Sequence, residues 1–336
     1  MPNADVLTLE HPRARVLLEP AGAGRTRVRV ESGDPSILVQ GSPWTTGYPP
    51  ELVEAILRVK GPDYVCDELR RDEEERYVQL SLRWALFAYV PPDAFAGKRL
   101  LDFGCGCGAS SCVLARMLPD TDIVGVELEP AFLEVARRRA AHFGRDRLRF
   151  MLSASGDALP DGLGRFDFVV LSAVFEHLLP AERATVVAQL WSLLEPGGVL
   201  FLNQTPGRWY LHEPHTTGLP GLNFLPDSAA GWLARRFSPR VRPEDSWDVL
   251  LRKGIRGGSQ REVLRILRAV GDGRPLLLRP SRLGVSNRVD LWYRYSTEAR
   301  ASRLKPIMRA VFKAITHVTG TPYTPALDLA IAKAAT

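Results

Sequence analysis

Between Lys98 and Thr205 the chain alternates apolar, strand-like runs with helix-like stretches, and this alternation restricts the fold more than any other feature. The spacing predicts strands over 99–103, 122–127, 148–152, 166–172 and 199–203, with helices over 109–118, 130–142 and 181–194. Strands joined through helices of this length need right-handed crossovers, so they belong to a parallel, doubly wound α/β sheet. The Pro196-Gly197-Gly198 turn, which closes the last of these helices, agrees with that division.

Leu100-Leu101-Asp102-Phe103-Gly104-Cys105-Gly106-Cys107-Gly108-Ala109 runs from the first strand into the first helix. An open parallel sheet forms its ligand crevice at such carboxyl ends, and glycines there allow positive φ and close approach of a ligand to the backbone. The string also satisfies G-x-G-x-x-A, the spacing of a dinucleotide-binding turn. Asp102 would set a carboxylate at the strand tip, where it suits an ammonium or a water shell better than an anionic pyrophosphate. Glu127 closes the second strand, a position from which a carboxylate accepts hydrogen bonds from ribose hydroxyls in either kind of nucleotide ligand. Asp157, in Ser155-Gly156-Asp157-Ala158-Leu159-Pro160, adds an acceptor placed for an adenine amino group.

Together with Val124-Gly125-Val126-Glu127, Gly156-Asp157-Ala158, Phe166-Asp167-Phe168-Val169-Val170, Glu176-His177-Leu178 and Leu194-Glu195-Pro196-Gly197-Gly198, this stretch resembles the class I S-adenosylmethionine-dependent methyltransferases, and within them the type 11 group. The resemblance covers about residues 98–204. It implies a Rossmann-like, mostly parallel seven-stranded sheet with a reversed final strand, and S-adenosylmethionine as cofactor. Carried over by position, it implies that Asp102, Gly104, Cys105, Gly106 and Gly108 flank the methionine moiety. Glu127 would hold the ribose with Leu128 beside it, Asp157 and Ala158 would recognise adenine, and Ser172 would complete the cofactor contacts. His177 falls in the family's Glu-His pair after the fourth strand, where the loop faces the transferred methyl group.

Methyl transfer from a sulfonium is an in-line displacement, so alignment and exclusion of water supply much of the rate. A base is needed where the acceptor has a proton to lose. His177 is one candidate. The stretch from Thr205 to Pro220, dense in His, aromatic and turn residues, is the expected substrate loop. Its His215-to-Pro220 segment resembles loops after the fifth strand in some bacterial relatives. His212 and His215 are therefore candidate proton acceptors, with Arg208, Trp209, Tyr210 and Glu213 as acceptor contacts. Tyr48 is read as part of an N-terminal lid over the cofactor. No metal is expected, because His-x-x-His and the Cys105/Cys107 pair each fall short of a full ligand set.

The 336 residues are 45% hydrophobic and 24% charged, which excludes a disordered chain. The expected organisation is an N-terminal segment and helical lid (1–97), the cofactor core (98–204), a substrate loop, basic insertion and last strands (205–300), and an amphipathic basic helix with a tail (301–336). A strand is expected at 288–295. Net charge is +6, but residues 228–316 hold 20 Lys/Arg against 7 Asp/Glu, or +13, which leaves 24 against 31, or −7, elsewhere. Such an excess is most simply a solvated arginine-rich face. Four cysteines, three of them crowded at Cys105, Cys107 and Cys112, are read as reduced thiols, and the Met1–Asp5 start lacks a signal-peptide layout. The expected protein is a cytoplasmic methyltransferase of a small-molecule acceptor, favouring oxygen. The alternatives are a lipid-linked or saccharide acceptor at a membrane reached through 301–316, and a non-catalytic cofactor-binding or nucleic-acid-binding protein; nucleic acid is disfavoured because no reading module is present.

Overall fold

The computed structural model describes residues 6–34, 39–145 and 147–334; the Met1–Asp5 start lies outside them. Strands β1 (Leu7–His11), β2 (Ala14–Pro20), β3 (Thr26–Glu31) and β4 (Trp44–Thr46) precede helices α1 (Pro50–Lys60), α2 (Val65–Glu73) and α3 (Leu80–Phe87). The alternating part follows as β5 (Arg99–Phe103), α4 (Ala109–Met117), β6 (Asp122–Glu127), α5 (Pro130–His142), β7 (Arg149–Leu152), β8 (Phe166–Ser172), α6 (Pro180–Leu193) and β9 (Leu194–Pro206). The remainder holds α7 (Asp227–Phe237), α8 (Trp247–Arg252), α9 (Gln260–Val270), β10 (Arg274–Leu277), α10 (Arg288–Ala299), α11 (Lys305–Thr319) and β11 (Ala326–Ala334).

Strands β1 to β4 form an antiparallel sheet, and the others form a seven-stranded sheet in the order β10-β11-β9-β8-β5-β6-β7. β5 pairs parallel with β8 and β8 with β9, and β6 pairs parallel with β7. β11 is antiparallel to β9, so the mostly parallel sheet with a reversed final strand is present. Its alternation was readable because β5, β6, β8 and β9 carry apolar runs bounded by turn residues.

Three expectations change. Residues 288–295 lie in α10 rather than in a strand: the Asn287 side chain accepts from the Asp290 N–H at 2.9 Å and caps the helix, overriding the β-like run of Leu291, Trp292 and Tyr293. The tail after the amphipathic helix is β11, whose small and apolar residues pair with β9. Ahead of the helices at 50–87, the N-terminal segment, in which only a short strand or hairpin arm at 26–30 is suggested by the sequence, builds a four-stranded sheet.

The chain divides into two compact units. The first comprises 1–80, 105–119 and 123–152. In it α1 starts with Pro50 at its first turn, ends at Gly61 with φ 74°, and buries Leu52, Val53, Ile56 and Leu57 against Val16, Leu18 and Val28 of the small sheet. Beneath this core lies Arg139, fully buried, with its Nη1 3.3 Å from Glu68 Oε1 and its Nε 3.5 Å from Asp72 Oδ2. All four cysteines lie in this unit and are buried, and burial pushes three of their thiols up, Cys66 to about 11 and Cys107 and Cys112 to about 12. These three are inert at neutral pH, because the thiolate is the reactive form.

The second unit comprises 81–104, 120–122 and 153–336. Phe95, Phe168 and Phe201 fill its centre, the first two with ring centroids 4.1 Å apart. Lys333 on β11 is buried and donates to the carbonyls of Trp191 and Leu194 and to Asp272, which ties the last strand to α6. Much of the basic region is paired within this unit: Arg252 with Glu182, Lys253 with Asp245, Arg256 with Asp227, and both Arg309 and Lys313 with Asp290. Arg139→Met would leave Glu68 and Asp72 buried without their cation and should lower the unfolding free energy by about 3–5 kcal/mol, measured by urea denaturation; an unchanged midpoint would show the cluster is not stabilising.

Candidate active site

In the first unit the loop after β5 is held by one carboxylate. Glu127, the last residue of β6, accepts from Gly106 N–H through Oε2 at 2.8 Å, and through Oε1 from Leu128 N–H at 2.8 Å and Glu129 N–H at 3.1 Å. A carboxylate offers about four acceptor positions, so capacity for a further donor remains. Cys105 donates its backbone N–H to Val126 O, and Gly108 stands as the N-cap residue of α4. Gly106 has φ +55°, and a Cβ added there meets nothing within 4 Å, so the loop presents bare backbone to open space. Beside it Leu128 is 48% exposed, an apolar side chain next to the braced carboxylate. A half-buried acceptor, an open glycine backbone and an apolar platform fit the ribose end of the implied cofactor.

The second unit carries the other expected cofactor residues. Asp102 is buried at the end of β5, and Gly104 follows it against the Val174 side chain. Ser172 ends β8 opposite Asn203 of β9. Asp157 is exposed, accepts from the Ser155 hydroxyl at 2.6 Å and is followed by the half-buried Ala158. Ala173, with φ 55°, turns the chain out of β8 in a conformation that costs a non-glycine residue energy and that collects at functional sites.

Immediately beyond this turn the structure brings Glu176, His177 and His215 together. Glu176 is fully buried; its Oε2 accepts from the Thr205 hydroxyl at 2.8 Å, and its Oε1 has no hydrogen-bond partner. His177 Nε2 lies 3.9 Å and His215 Nε2 4.0 Å from that Oε1, with the two ring centroids 5.3 Å apart. Each Nδ1 faces a backbone carbonyl, His177 that of Arg252 at 2.7 Å and His215 that of Lys253 at 3.0 Å. In the neutral ring the proton therefore sits on Nδ1, and the lone pair of each Nε2 points to the carboxylate. Gly254 makes room for this approach, since a Cβ there would stand 2.8 Å from His215 Nδ1 and 3.2 Å from Glu176 Cγ. The nearby cations are engaged elsewhere: Arg183 with Glu262, Arg252 with Glu182, Lys253 with Asp245.

Other expected residues fall apart from this cluster. His212 is exposed, in an isolated bridge with Pro220, so it does not join the other two histidines. Glu213 is buried and its oxygens accept from the N–H groups of His215, Thr216 and Thr217 and from the Thr217 hydroxyl; it shapes the loop and has little capacity left for an acceptor. Tyr48 is buried in the first unit, donating to Asp72 beneath the Arg139 guanidinium, and packs within that unit's core. Arg208, Trp209 and Tyr210 line a cavity of about 320 Å³ in the second unit, with Arg261, Arg288 and Tyr323.

Glu176, Thr205 and Gly254 were missed as site residues. Glu176 stood in plain view beside His177, but nothing in the sequence marks it as the buried member; Gly254 and Thr205 lie far from it along the chain. Asn203, buried with both side-chain polar atoms unpartnered, was also missed, although an asparagine at the end of Leu200-Phe201-Leu202 is a local anomaly.

The model of a methyltransferase domain family matches residues 101–200. The chain is 36% identical over 115 residues to a trans-aconitate 2-methyltransferase of Methylobacterium radiotolerans, covering 34% of this chain and 40% of that protein. It is 34% identical to a demethylmenaquinone methyltransferase of Thermus thermophilus over 37% of this chain and 55% of that one. A ubiquinone biosynthesis O-methyltransferase of Cereibacter sphaeroides is 29% identical over 172 residues, 49% of this chain and 62% of the relative. The chain thus spans less than two thirds of these relatives. The matched segment holds most of β5, the glycine loop, Glu127, Asp157 and the Glu176-His177 pair, so that residues 101–200 match a methyltransferase domain.

Proposed function

We propose that the protein transfers a methyl group to an oxygen of a small-molecule acceptor. The observation that carries this reading is the cluster of Glu176, His177 and His215, in which three acceptor atoms converge with no donor among them. Such a group receives a proton, and a hydroxyl is the acceptor that must lose one. Both imidazoles are partly exposed, 42% for the His177 side chain and 33% for His215, so a ligand can reach them while the carboxylate stays dry. The name of the ubiquinone biosynthesis relative supports oxygen over nitrogen.

When bound, S-adenosylmethionine supplies a methyl carbon whose bond to sulfur breaks with the pair kept by sulfur as the acceptor oxygen forms the new bond. Glu127 and the Gly106 loop of the first unit would hold the ribose. Thr205 keeps Glu176 oriented, with its other oxygen 3.9 and 4.0 Å from the two Nε2 atoms. Thr205 stands two residues from Gly207, where the 320 Å³ cavity begins. That volume suits a small ligand. Its Trp209, Tyr210 and Tyr323 rings with the Arg208, Arg261 and Arg288 guanidinium groups favour a flat or apolar acceptor that carries negative charge.

A second reading, an acceptor at a membrane surface, is favoured by one feature: α11 leaves Leu304, Ile307, Val311 and Val318 exposed, Val318 by 84%. Its Arg309 and Lys313 are turned to Asp290, which reduces the charge available to lipid headgroups. No helix among the described residues is long and apolar enough to cross a membrane.

Glu127→Ala should weaken S-adenosylhomocysteine binding by calorimetry by about 1.5–3 kcal/mol, the loss of a charged acceptor, and unaltered affinity would misplace the ribose site. His177→Ala and His215→Ala should each lower kcat by roughly 10²–10⁴ while cofactor affinity stays within about twofold; equal losses in both would mean a structural role. Co-sedimentation with anionic phosphatidylglycerol vesicles should leave the protein in the supernatant, and salt-sensitive pelleting would favour the membrane reading instead.

A further inference from the structure

We infer that Glu176 Oε1, His177 Nε2 and His215 Nε2 form a binding site for one divalent transition-metal ion. Two imidazole nitrogens and one carboxylate oxygen, all within 4.8 Å of one another, are a ligand set without an internal proton donor. The carboxylate is fully buried and this oxygen has no hydrogen-bond partner, an arrangement that costs free energy unless a cation sits before it. No guanidinium or ammonium group is paired with it among the described residues, because Arg183, Arg252 and Lys253 are held by Glu262, Glu182 and Asp245.

The supporting contacts are those of a metal site. Both imidazoles direct Nδ1 to a backbone carbonyl, which fixes the tautomer and aims the Nε2 lone pair inward. Thr205 holds the second carboxylate oxygen, and Gly254 has no Cβ where His215 and Glu176 must close together. Tetrahedral donors about 2.0–2.1 Å from zinc stand about 3.4 Å apart, and the three donor atoms, 3.9 and 4.0 Å from the carboxylate oxygen and all within 4.8 Å of one another, approach that spacing by small side-chain movements. Two histidines with one carboxylate prefer zinc, iron(II) or cobalt(II) to magnesium, whose ligands are oxygens. Three protein ligands leave coordination positions open on the exposed side of the imidazoles, where an acceptor oxygen would bind and become acidic, its proton leaving to solvent. With the ion bound the two Nε2 atoms are ligands and the ion replaces them as the agent that removes the proton's hold. That role rests on the methyl-transfer reading above; the binding of the ion does not.

The test uses the untagged full chain, stripped with chelator and titrated with Co²⁺ while absorption and heat are followed. One equivalent should bind per chain with visible bands of nitrogen and oxygen ligation, and Zn²⁺ should displace it. Glu176→Gln and His215→Asn should each abolish saturable binding. Thr205→Val, which keeps shape and removes only the hydroxyl that orients Glu176, should weaken it roughly 10–100-fold. Thermal unfolding identifies any variant that fails to fold, and Thr205→Val then decides. Absence of saturable Co²⁺ binding, or binding unchanged by all three substitutions, overturns the site. S-adenosylhomocysteine titrated into the same metal-free protein separates the two claims: cofactor binding without Co²⁺ binding defeats only the metal site, and the reverse defeats only the methyltransferase reading.

Discussion

Parallel pairing of β5, β8 and β9 is the constraint on which the second unit's chemistry depends. Its register sets Asp102 beside Val170 and Ser172 beside Asn203, so the three strands end at one edge of the sheet. Backbone N–H and C=O groups of the strands are used in the ladder, and what leaves that edge is turn and loop. Ala173 turns the chain from β8 toward Glu176, and Thr205, just past the Asn203 level on β9, meets it. A carboxylate four residues past one strand is thereby joined to a hydroxyl on the next. His215 arrives from the loop that β9 feeds.

Two buried acidic sites in this chain are handled in opposite ways. Glu68 and Asp72 are compensated by Arg139, a planar cation buried between them, and the Tyr48 hydroxyl completes the set. That cluster is closed, and its role is to fix α2 against α5. Glu176 is fully buried as well, yet among the described residues the groups facing its unpartnered oxygen are two imidazole rings and no guanidinium or ammonium group. Burial without compensation is unstable unless something from outside completes it, whether a proton from an acceptor or a metal ion. The difference between the two sites is what separates a structural use of buried charge from a functional one.

The parts of the fold that were legible in the sequence are those in which local pattern and tertiary role coincide. Strands buried on both faces read as unbroken apolar runs, and Gly106 and Glu127 lie close to the strands that position them. Where a local cap decides, pattern misleads: Asn287 turns an aromatic run into α10. β11 is hidden because Ala326–Ala334 is weakly apolar and becomes a strand through its pairing with β9. The candidate cluster was half legible. His177 and His215 were recognisable as chemistry, whereas the grouping that gives them meaning joins 176, 205, 215 and 254 through tertiary structure. Tyr48 and Glu213 carry functional-looking side chains that the fold consumes, one in an ion cluster and one inside its own loop. The basic region also loses its apparent purpose once Arg252, Lys253, Arg256, Arg309 and Lys313 are seen in intramolecular pairs.

The central claim is that the glycine loop and Glu127 serve a sulfonium nucleoside, although the loop's G-x-G-x-x-A spacing is shared with dinucleotide sites. Parallel calorimetric titrations of the full chain with S-adenosylhomocysteine and with NADH test it most directly. The account predicts saturable binding of S-adenosylhomocysteine, one per chain, and no heat from NADH beyond dilution. Saturable binding of NADH with none for S-adenosylhomocysteine would contradict it.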